Sequence, residues 1–368
     1  MRTVRAVWKN PTLSSQPGLR HKDMARHFLR IKAMHIGKSY TLTEFLDWTR
    51  RDIYILIVLG IVPVVAYQVG NLKWLGIPWT VLALLGTATA FIVGFRNLQT
   101  YNRTWEARQI WGDILSSSRA WGIMCRDFFD NPEKSRELVY RHLAWLTALR
   151  YQMRETRAWE SNSKAHYVEY LKYYSIPERE TPLETELAKY LPQEELGQIL
   201  AAKNRATQLL SLQGKTIKEL FAKQDIVVLQ FVNMQTAVRD LLTQQGRSER
   251  IKDFPFPRQL GTVNGFFINL FCLLLPFGLL REFDKLNESV EGVMKGNMVW
   301  LVVPFSILIS WMYTSLEKVG ESTENPFEGG ANDIPISQMC RTAEIELREM
   351  LGETELPAAL QARNNIIL

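Results

Sequence analysis

The sequence offers one stretch whose residue types could bind a phosphate group. Gly37, Lys38 and Ser39 match the end of a phosphate-binding loop, in which backbone amides and a lysine side chain hold the phosphates of a nucleotide. The same loop also requires an earlier glycine, and the position that should carry it is Lys32. The motif is therefore incomplete, and the sequence predicts no nucleotide site here.

Metal-binding and catalytic patterns are also missing from the sequence. No two of the five histidines stand at metal-binding spacing beside an acid, and the three cysteines are too scattered for a disulfide framework or a zinc site. There is no nucleophile elbow, dinucleotide fingerprint or calcium-loop signature. We therefore predict that the protein is not an enzyme and has no cofactor. The residues concerned are His21, His27, His35, His142 and His166, with Cys125, Cys272 and Cys340.

Four apolar runs, almost free of charge, are the main structural elements that the sequence predicts. They cover residues 53–69, 74–95, 263–280 and 298–313. Helices of that length span roughly 24 to 33 Å, close to the thickness of the hydrocarbon core of a bilayer. We predict an all-α membrane protein with four transmembrane helices. The alternative is that the runs are buried helices of a large soluble core, because two of them are short for membrane spans.

The charges beside the runs predict the orientation of the chain. The first 40 residues are basic and have no central apolar stretch, so we expect no secretory signal and a cytoplasmic amino terminus. Arginines flank the runs on the side of the large middle region, whereas the two short linkers are poorer in positive charge. Both termini are then cytoplasmic. The formal net charge of +6 fits this orientation and contact with membrane lipids better than nucleic-acid binding.

Residues 96–258 are too many for a loop, and helix-start signals recur within them. Asn131 with Pro132 is typical of an N-cap before a first-turn proline, and Thr181 with Glu184 is typical of a capping box. Strand-like alternation is scarce. The sequence therefore predicts a cytoplasmic N-terminal segment, transmembrane helices 1 and 2, a helical cytoplasmic domain, transmembrane helices 3 and 4, and a cytoplasmic C-terminal segment. Their bounds are 1–40, 41–95, 96–258, 259–313 and 314–368.

The stretch GFRNLQTYNRTWEARQIWG, residues 94–112, leaves the second apolar run without any Gly or Pro between Phe95 and Trp111. We therefore expect the second transmembrane helix to continue unbroken into the cytoplasmic domain, with an ion pair between Arg103 and Glu106 on one face. Membrane and cytoplasmic parts would then be one rigid body. The alternative is an interfacial belt of aromatic and basic residues.

Membrane helices without catalytic groups suggest a channel built from several copies of the chain. A single set of four helices fills its own centre with side chains, whereas copies around a cyclic axis can enclose a path. The second run is the candidate lining helix, because it carries small residues from Gly86 to Ala90 and alone continues beyond the membrane. A transporter would show an internal repeat or a mid-membrane ionisable group, and neither is visible. A membrane scaffold would have no reason for cyclic assembly.

Together with three further motifs, the 94–112 stretch resembles a bacterial bestrophin from about residue 39 to residue 336. The motifs are Ile77-Pro78, FPFP at 254–257 and ENPFE at 324–328. The resemblance implies a homopentameric, all-helical ion channel of a bacterial inner membrane, whose central pore crosses both the membrane and the cytoplasmic domain. It also implies conduction of monovalent ions, either chloride and other anions or, as in some bacterial members, cations.

The same resemblance implies which residues line the pore. The family has a hydrophobic neck in the membrane and a second constriction in the cytoplasmic domain. For any one neck residue, the alternative is that it only packs against a neighbouring helix. The implied residues are Ile77, Val81 and Leu85 for the neck, or Thr80, Leu84 and Ala88 in the next register, and Val227 for the cytoplasmic aperture.

Eukaryotic members of the family bind calcium through carboxylates that follow an Asn-Pro-Phe motif. Here the motif at 325–327 is followed by Gly330 at one of the two expected carboxylate positions, which leaves only Asp333. A calcium ion takes roughly six to eight oxygen ligands and favours several carboxylates. We therefore expect a degraded calcium site and no bound metal.

Overall fold

The computed structural model of the protein describes residues 34–35, 42–161, 164, 167–168, 171–362 and 366–368, and these residues are mostly helical. Of the residues discussed above, Lys32, Gly37, Lys38, Ser39, His21, His27 and His166 lie outside this part of the chain. The helices are α1 Leu42–Gln68, α2 Trp79–Asp127, α3 Pro132–Arg154, α4 Pro177–Glu180, α5 Leu183–Leu187, α6 Gln193–Ala201, α7 Arg205–Ala222, α8 Val228–Asp253, α9 Arg258–Lys285, α10 Val302–Ser322 and α11 Ile336–Met350. Two short strands, β1 Met34–His35 and β2 Ile366–Ile367, pair antiparallel.

Among the described residues, four helical segments are long and apolar enough to cross a membrane, as the four runs predict. They contain α1, α2, α9 and α10, whose apolar faces pack into one cluster that we call the span core. Its buried side chains come from all four helices, and α9 and α10 each pack against both α1 and α2. They include Leu56, Val64, Leu82, Val93, Ile268, Leu275 and Val302.

Helix α2 runs for 49 residues without a break, which corresponds to about 74 Å at the rise of an α-helix. The prediction that it continues past Phe95 is therefore confirmed. Its first half belongs to the span core, and its second half, with Trp111 and Trp121, belongs to a separate domain core. The domain core is completed by side chains of α3, α5, α6, α7, α8 and α11. One helix thus joins both cores.

The two short linkers lie together at the same end of the spans. The Tyr67 hydroxyl donates to Asp284 Oδ2 at 2.8 Å, and Gln68 Nε2 donates to the Gly296 carbonyl oxygen at 2.8 Å. The backbone N–H of Ile77 donates to the Phe277 carbonyl oxygen at 3.1 Å. The linker between α1 and α2 therefore contacts the linker region between α9 and α10.

The helix-start predictions have two outcomes. Asn131 caps α3 as predicted, because its Oδ1 accepts from the backbone N–H groups of Glu133 at 2.9 Å and Lys134 at 3.3 Å. The capping box at Thr181 is wrong, since α5 begins after Pro182 and that end has no side-chain cap. A residue before proline is held away from the helical region, and Thr181 is extended, with φ −117° and ψ 132°.

Candidate functional site

One face of α2 fixes the helix inside the span core. Gly86 allows the closest approach on this face, because a Cβ there would lie 2.8 Å from Phe271 Cε2. The Tyr313 hydroxyl donates to the Gly86 carbonyl oxygen at 3.0 Å and so ties α10 to the same point. The buried residues recur every three or four positions, at Leu82, Gly86, Thr89 and Val93.

The opposite face of α2 is left uncovered by the described chain. Leu84 and Phe91 are 73% and 76% exposed, and small residues stand between them. The Thr87 hydroxyl donates to the Ala83 carbonyl oxygen at 2.8 Å, so the helix satisfies it internally. The exposed face of α1 differs, because it carries the aliphatic side chains of Ile55, Val58, Ile61 and Val62, which suit acyl chains. The mixed face of α2 suits another protein surface or a water path better.

The two predicted neck registers are placed differently within one chain. Ile77 precedes α2, and Val81 is 63% exposed, whereas Leu85 packs against the span core. These three residues therefore do not form one uncovered stripe. All three residues of the second register are exposed on the uncovered face; they are Thr80, Leu84 and Ala88.

Sequence reasoning missed two aromatic residues on the uncovered face. Phe91 and Phe95 are 76% and 47% exposed and stand one turn apart, nearer the end of the second run. Their spacing from Leu84, seven and eleven positions, is that of one helical face, and this signal could have found them. Both lie more than three turns beyond the Ile77-Pro78 pair from which the neck registers are counted.

A polar groove follows these aromatic residues where α8 lies beside α2. Arg103 donates to the backbone carbonyl oxygens of Ile251 and Phe254, and Glu106 pairs with Arg250. The predicted pair between Arg103 and Glu106 is therefore wrong. The last carbonyl groups of α8 are unpaired within the helix and carry the negative end of its dipole, so they attract the guanidinium.

The groove is open to the outside and has a volume of about 520 Å³. Each α2 carboxylate that borders this side has an arginine of α8 near it: Arg250 pairs with Glu106, and Arg247 Nη1 lies 3.7 Å from Asp113 Oδ2. Negative charge on this stretch of α2 is thereby neutralised by α8.

Val227 is the N-cap residue of α8 and is 62% exposed. Its backbone N–H donates to Gln230 Oε1 at 2.9 Å, which fixes the start of the helix. The next residues on the exposed side, Val228, Leu229 and Val232, are 64%, 67% and 50% exposed. Val227 thus belongs to an apolar surface patch at the beginning of α8.

The loop after α10 uses the Asp333 carboxylate as an internal brace. Asp333 Oδ2 accepts from the backbone N–H groups of Gly329 at 2.7 Å and Gly330 at 2.9 Å, and Arg154 Nη1 lies 3.7 Å away. Gly329 has φ +96°, a conformation that favours glycine. The same arginine donates to the carbonyl oxygens of Phe327 and Ile334, so the loop closes around it.

Glu328 is a second buried carboxylate in this loop, and sequence reasoning gave it no role. Its Oε2 accepts from the Ser161 backbone N–H at 2.9 Å. Burial, and then the charge of Asp333, raises the pKa of Glu328 to about 8. Burial raises the pKa of Asp333 to about 6, although Arg154 opposes the rise. Among the described residues, no group of three or more His, Cys, Asp or Glu side chains could hold a metal ion.

His142 and the three cysteines, the remaining chemical candidates whose side chains the structure describes, are core residues. His142 is fully buried between the rings of Trp121 and Trp145, and burial lowers its pKa to about 3. It is therefore neutral. The three cysteines, Cys125, Cys272 and Cys340, are free and buried.

Comparison with known proteins gives one consistent family match. The sequence profile of the family described as bacterial/fungal bestrophin protein matches residues 50–349. The voltage-dependent anion channel-forming protein YneE of Escherichia coli K12 is 26% identical over 288 residues, which cover 78% of this chain and 82% of that protein. The voltage-dependent anion channel-forming protein RSc3414 of Ralstonia nicotianae is 25% identical over 294 residues, which cover 78% of this chain and 82% of that protein.

Solved structures agree with this match. A crystal structure of a bacterial bestrophin homolog from Klebsiella pneumoniae superposes with a TM-score of 0.69 at 24% identity, over 83% of this chain and 99% of that chain. A crystal structure described as that of a membrane protein, determined as a single-residue variant, gives a TM-score of 0.69 at 26% identity, over 84% of this chain and 100% of that chain. The path of the chain described above is thus shared with these proteins.

Proposed function

The chain belongs to the bacterial and fungal bestrophin family, a family of membrane channels rather than enzymes, and on that premise we propose that it is a homopentameric channel for monovalent ions. Five copies would surround one axis, with the uncovered face of α2 toward it. Anions are the first expectation, because the relatives matched above are named for forming anion channels.

The observation that carries this proposal is the two-sided character of α2. One face is buried in the span core, while the other stays uncovered along the apolar run and the polar stretch that follows. A 49-residue helix of this kind, repeated around an axis, would line a continuous path from the membrane into the helical domain. A helix that only anchored the chain would not need an uncovered face beyond the bilayer.

We place the neck on the uncovered face of α2. Rings of apolar side chains oppose an ion because it loses water there without gaining a ligand. Leu84 of the second register and Val81 of the first are both exposed, and Phe91 and Phe95 extend the apolar surface toward the groove. Val227 and its neighbours would form the second constriction, since an exposed valine patch at a helix start can also form a ring.

The paired carboxylates on this stretch of α2 support a preference for anions. Glu106 and Asp113 each have an α8 arginine beside them, so they offer a passing cation little net attraction. The membrane would be the inner membrane of a bacterium, with residues 96–258 and both termini in the cytoplasm, and with the two short linkers outside. The basic residues that flank the spans on the side of the helical domain support this orientation.

Planar-bilayer recordings of the purified protein under a salt gradient would test the proposal. A reversal potential near that of chloride is expected, and native mass spectrometry of the same preparation should show five copies. A reversal potential near that of the cation would contradict anion preference alone. Absence of current from protein that remains assembled would contradict the channel itself. The same recordings can be repeated on a cysteine-free variant, with Cys125→Ser, Cys272→Ala and Cys340→Ser, as an independent preparation.

A further inference from the structure

A cavity of about 480 Å³ lies where the spans meet the helical domain. The start of α1, the middle of α2, the end of α10 and the loop after α10 all contribute to its walls. It shares no lining residue with the polar groove between α2 and α8. The proposed channel function gives this cavity no role.

The walls of the cavity are mainly aromatic. Tyr101 and Trp105 stack with centroids 6.4 Å apart and ring planes 15° apart, so they form one flat wall. On the other side, the hydroxyl of Tyr167 donates to the Glu328 carbonyl oxygen at 3.3 Å, and that of Tyr174 donates to the Gly329 carbonyl oxygen at 3.0 Å. These bonds fix the two rings. A cavity of this size with apolar walls and few polar groups is typical of a site for a small molecule.

The charged groups of the lining are Arg108, Glu321 and Glu328. Glu321 pairs with Lys164, so its charge is offset. Glu328 is only 4% exposed, and burial, followed by the charge of Asp333, raises its pKa to about 8. It is therefore protonated at neutral pH. The lining then presents the guanidinium of Arg108, one neutral carboxyl group and no carboxylate that lacks a cation.

We propose that this cavity binds a single-chain amphiphilic carboxylate, the chemistry of a free fatty acid, with its chain against the aromatic walls and its carboxylate at Arg108. A guanidinium suits a carboxylate because two of its N–H groups can donate in parallel to the two oxygens. A protonated carboxyl group such as that of Glu328 can donate a further hydrogen bond to the same anion. The cavity borders the ends of α1 and α10, so an amphiphile can reach it from the surface of the bilayer.

Binding to the purified full-length protein tests this without any need for conduction, so the result does not depend on the proposed channel function. Octanoate, 1-octanol and 1-octylamine have the same chain and an anionic, a neutral and a cationic head. Each would be titrated by isothermal calorimetry, with the heat of empty micelles subtracted. We expect octanoate to bind at least about tenfold more tightly than either of the others. Equal binding of all three would mean a purely apolar cavity, and binding of none would mean that another part of the chain or a second copy fills it; both results overturn the proposal.

Two variants separate the head from the chain of the ligand. Arg108→Gln keeps a polar side chain without the charge, and it should weaken octanoate about tenfold and leave octanol unchanged. Trp105→Ala removes part of the wall and should weaken both ligands alike. Arg239→Gln is the matched control, because Arg239 on α8 has a side chain that is 73% exposed and does not line the cavity. If Arg108→Gln binds octanoate as the wild type does, or loses octanoate and octanol equally, the guanidinium does not hold the carboxylate and the proposal fails.

The pH gives a second readout, through Glu328. Above about pH 8 its carboxylate is charged and repels that of the ligand, so octanoate should bind several-fold more weakly at about pH 9 than at about pH 7, and octanol should not. Glu328→Gln keeps an acceptor for the Ser161 N–H and should bind octanoate equally at both values. An octanoate affinity that does not fall, or a fall that Glu328→Gln retains, would contradict the assignment. The charged groups that face Glu328 all lie outside the lining; they are Asp333, Glu160, Lys164, Arg179 and Lys252.

Discussion

Arg96 of α2 donates a hydrogen bond through Nη2 to Glu324 Oε2 at 2.9 Å, just beyond the end of α10. The two side chains are only 7% and 21% exposed. The pair fixes the point where α2 leaves the predicted span to the start of the loop that contains Glu328 and Asp333. The span core and the loop are therefore coupled through a partly buried ion pair.

Breaking that pair on one side should destabilise the protein. Arg96→Met leaves Glu324 partly buried and without its cation, and we expect a loss of about 3 kcal/mol in the free energy of unfolding. The double variant Arg96→Met with Glu324→Gln should recover much of the loss, because no unpaired charge remains. Denaturant unfolding of the purified protein gives both values.

The control for this experiment is Arg126→Met. Arg126 pairs with Asp127 at 2.6 Å on the surface, so its removal should leave unfolding unchanged. A double variant that is less stable than Arg96→Met alone would show that the two residues contribute independently.

The stability of the loop should depend on pH through Glu328. Its pKa is about 8 in the folded protein and about 4.3 in an unfolded chain, so the folded state binds the proton more tightly. Stability from this group is full below about pH 4.3 and is lost as the pH rises toward about 8. The melting temperature of the wild type should therefore fall, relative to Glu328→Gln, between about pH 5 and about pH 8.

Comparison with the glutamine variant removes the contribution of other titrating groups, except Asp333, whose charge acts on Glu328. The free energies of unfolding of the wild type and of Glu328→Gln should differ by a few kcal/mol at most over this pH range. A difference that grows in the opposite direction would mean that Glu328 is ionised and paired in the folded protein.

Asp333 should support the loop and not a calcium response. Its carboxylate already accepts from two backbone N–H groups, and Gly330 occupies a position where a second ligand would be needed. We expect an open probability that is independent of micromolar calcium. Asp333→Ala should instead lower the free energy of unfolding by about 2 kcal/mol, because two buried amides lose their acceptor. A steep calcium response that disappears in Asp333→Ala would reverse this interpretation.

Orientation can be tested with single cysteines in a cysteine-free background. Val293 is 92% exposed in the linker between α9 and α10, whereas Asn287 closes that linker through hydrogen bonds and is a poor substitution site. Val293→Cys should react with an impermeant maleimide added to intact cells, and Lys215→Cys on α7 should not. Labelling of Lys215→Cys in intact cells would place the helical domain outside.

The sequence predicts the features of this fold that depend on local chemistry. The continuity of α2 follows from the absence of Gly and Pro after Phe95, and the start of α3 follows from Asn131. It does not predict features that depend on a distant partner. Arg103 binds carbonyl groups at the end of α8 that lie about 150 positions later in the sequence. Nothing in the sequence of α2 indicates that Arg103 should bind these groups and not Glu106.

For the same reason, the sequence does not predict which face of α2 is uncovered. Spacing alone distinguishes the faces of α2 but does not say which face the other spans cover. The covered face is set by the contacts of Phe271 and Tyr313 with Gly86, and these contacts are seen only in the packed structure. Glu328 was missed for a related reason, because its burial is set by the loop and by Ser161, which lies far from it in sequence.

The two faces of α2 should respond in opposite ways to truncation. On the uncovered face, Leu84→Ala and Phe91→Ala remove apolar side chains that touch little of their own chain, so they should widen and wet the neck and raise the current per channel. On the buried face, Leu82→Ala leaves a cavity in the span core and should cost about 2 to 5 kcal/mol without increasing conduction. Single-channel current and chemical unfolding, measured on the same preparations, separate the two outcomes.

The first register makes a competing prediction on the same helix. If Ile77, Val81 and Leu85 form the rings, their triple Ala variant should raise the current more than the pair Leu84→Ala and Phe91→Ala does. Because Leu85 packs against the span core, we expect that triple variant instead to be less stable, with only Val81 contributing to any gain in current. The current per channel, measured on variants that are still pentameric, decides between the two registers. A pentameric Leu84→Ala and Phe91→Ala variant with wild-type current would remove the uncovered face from the pore, and a large gain from the Ile77, Val81 and Leu85 variant would put the neck there.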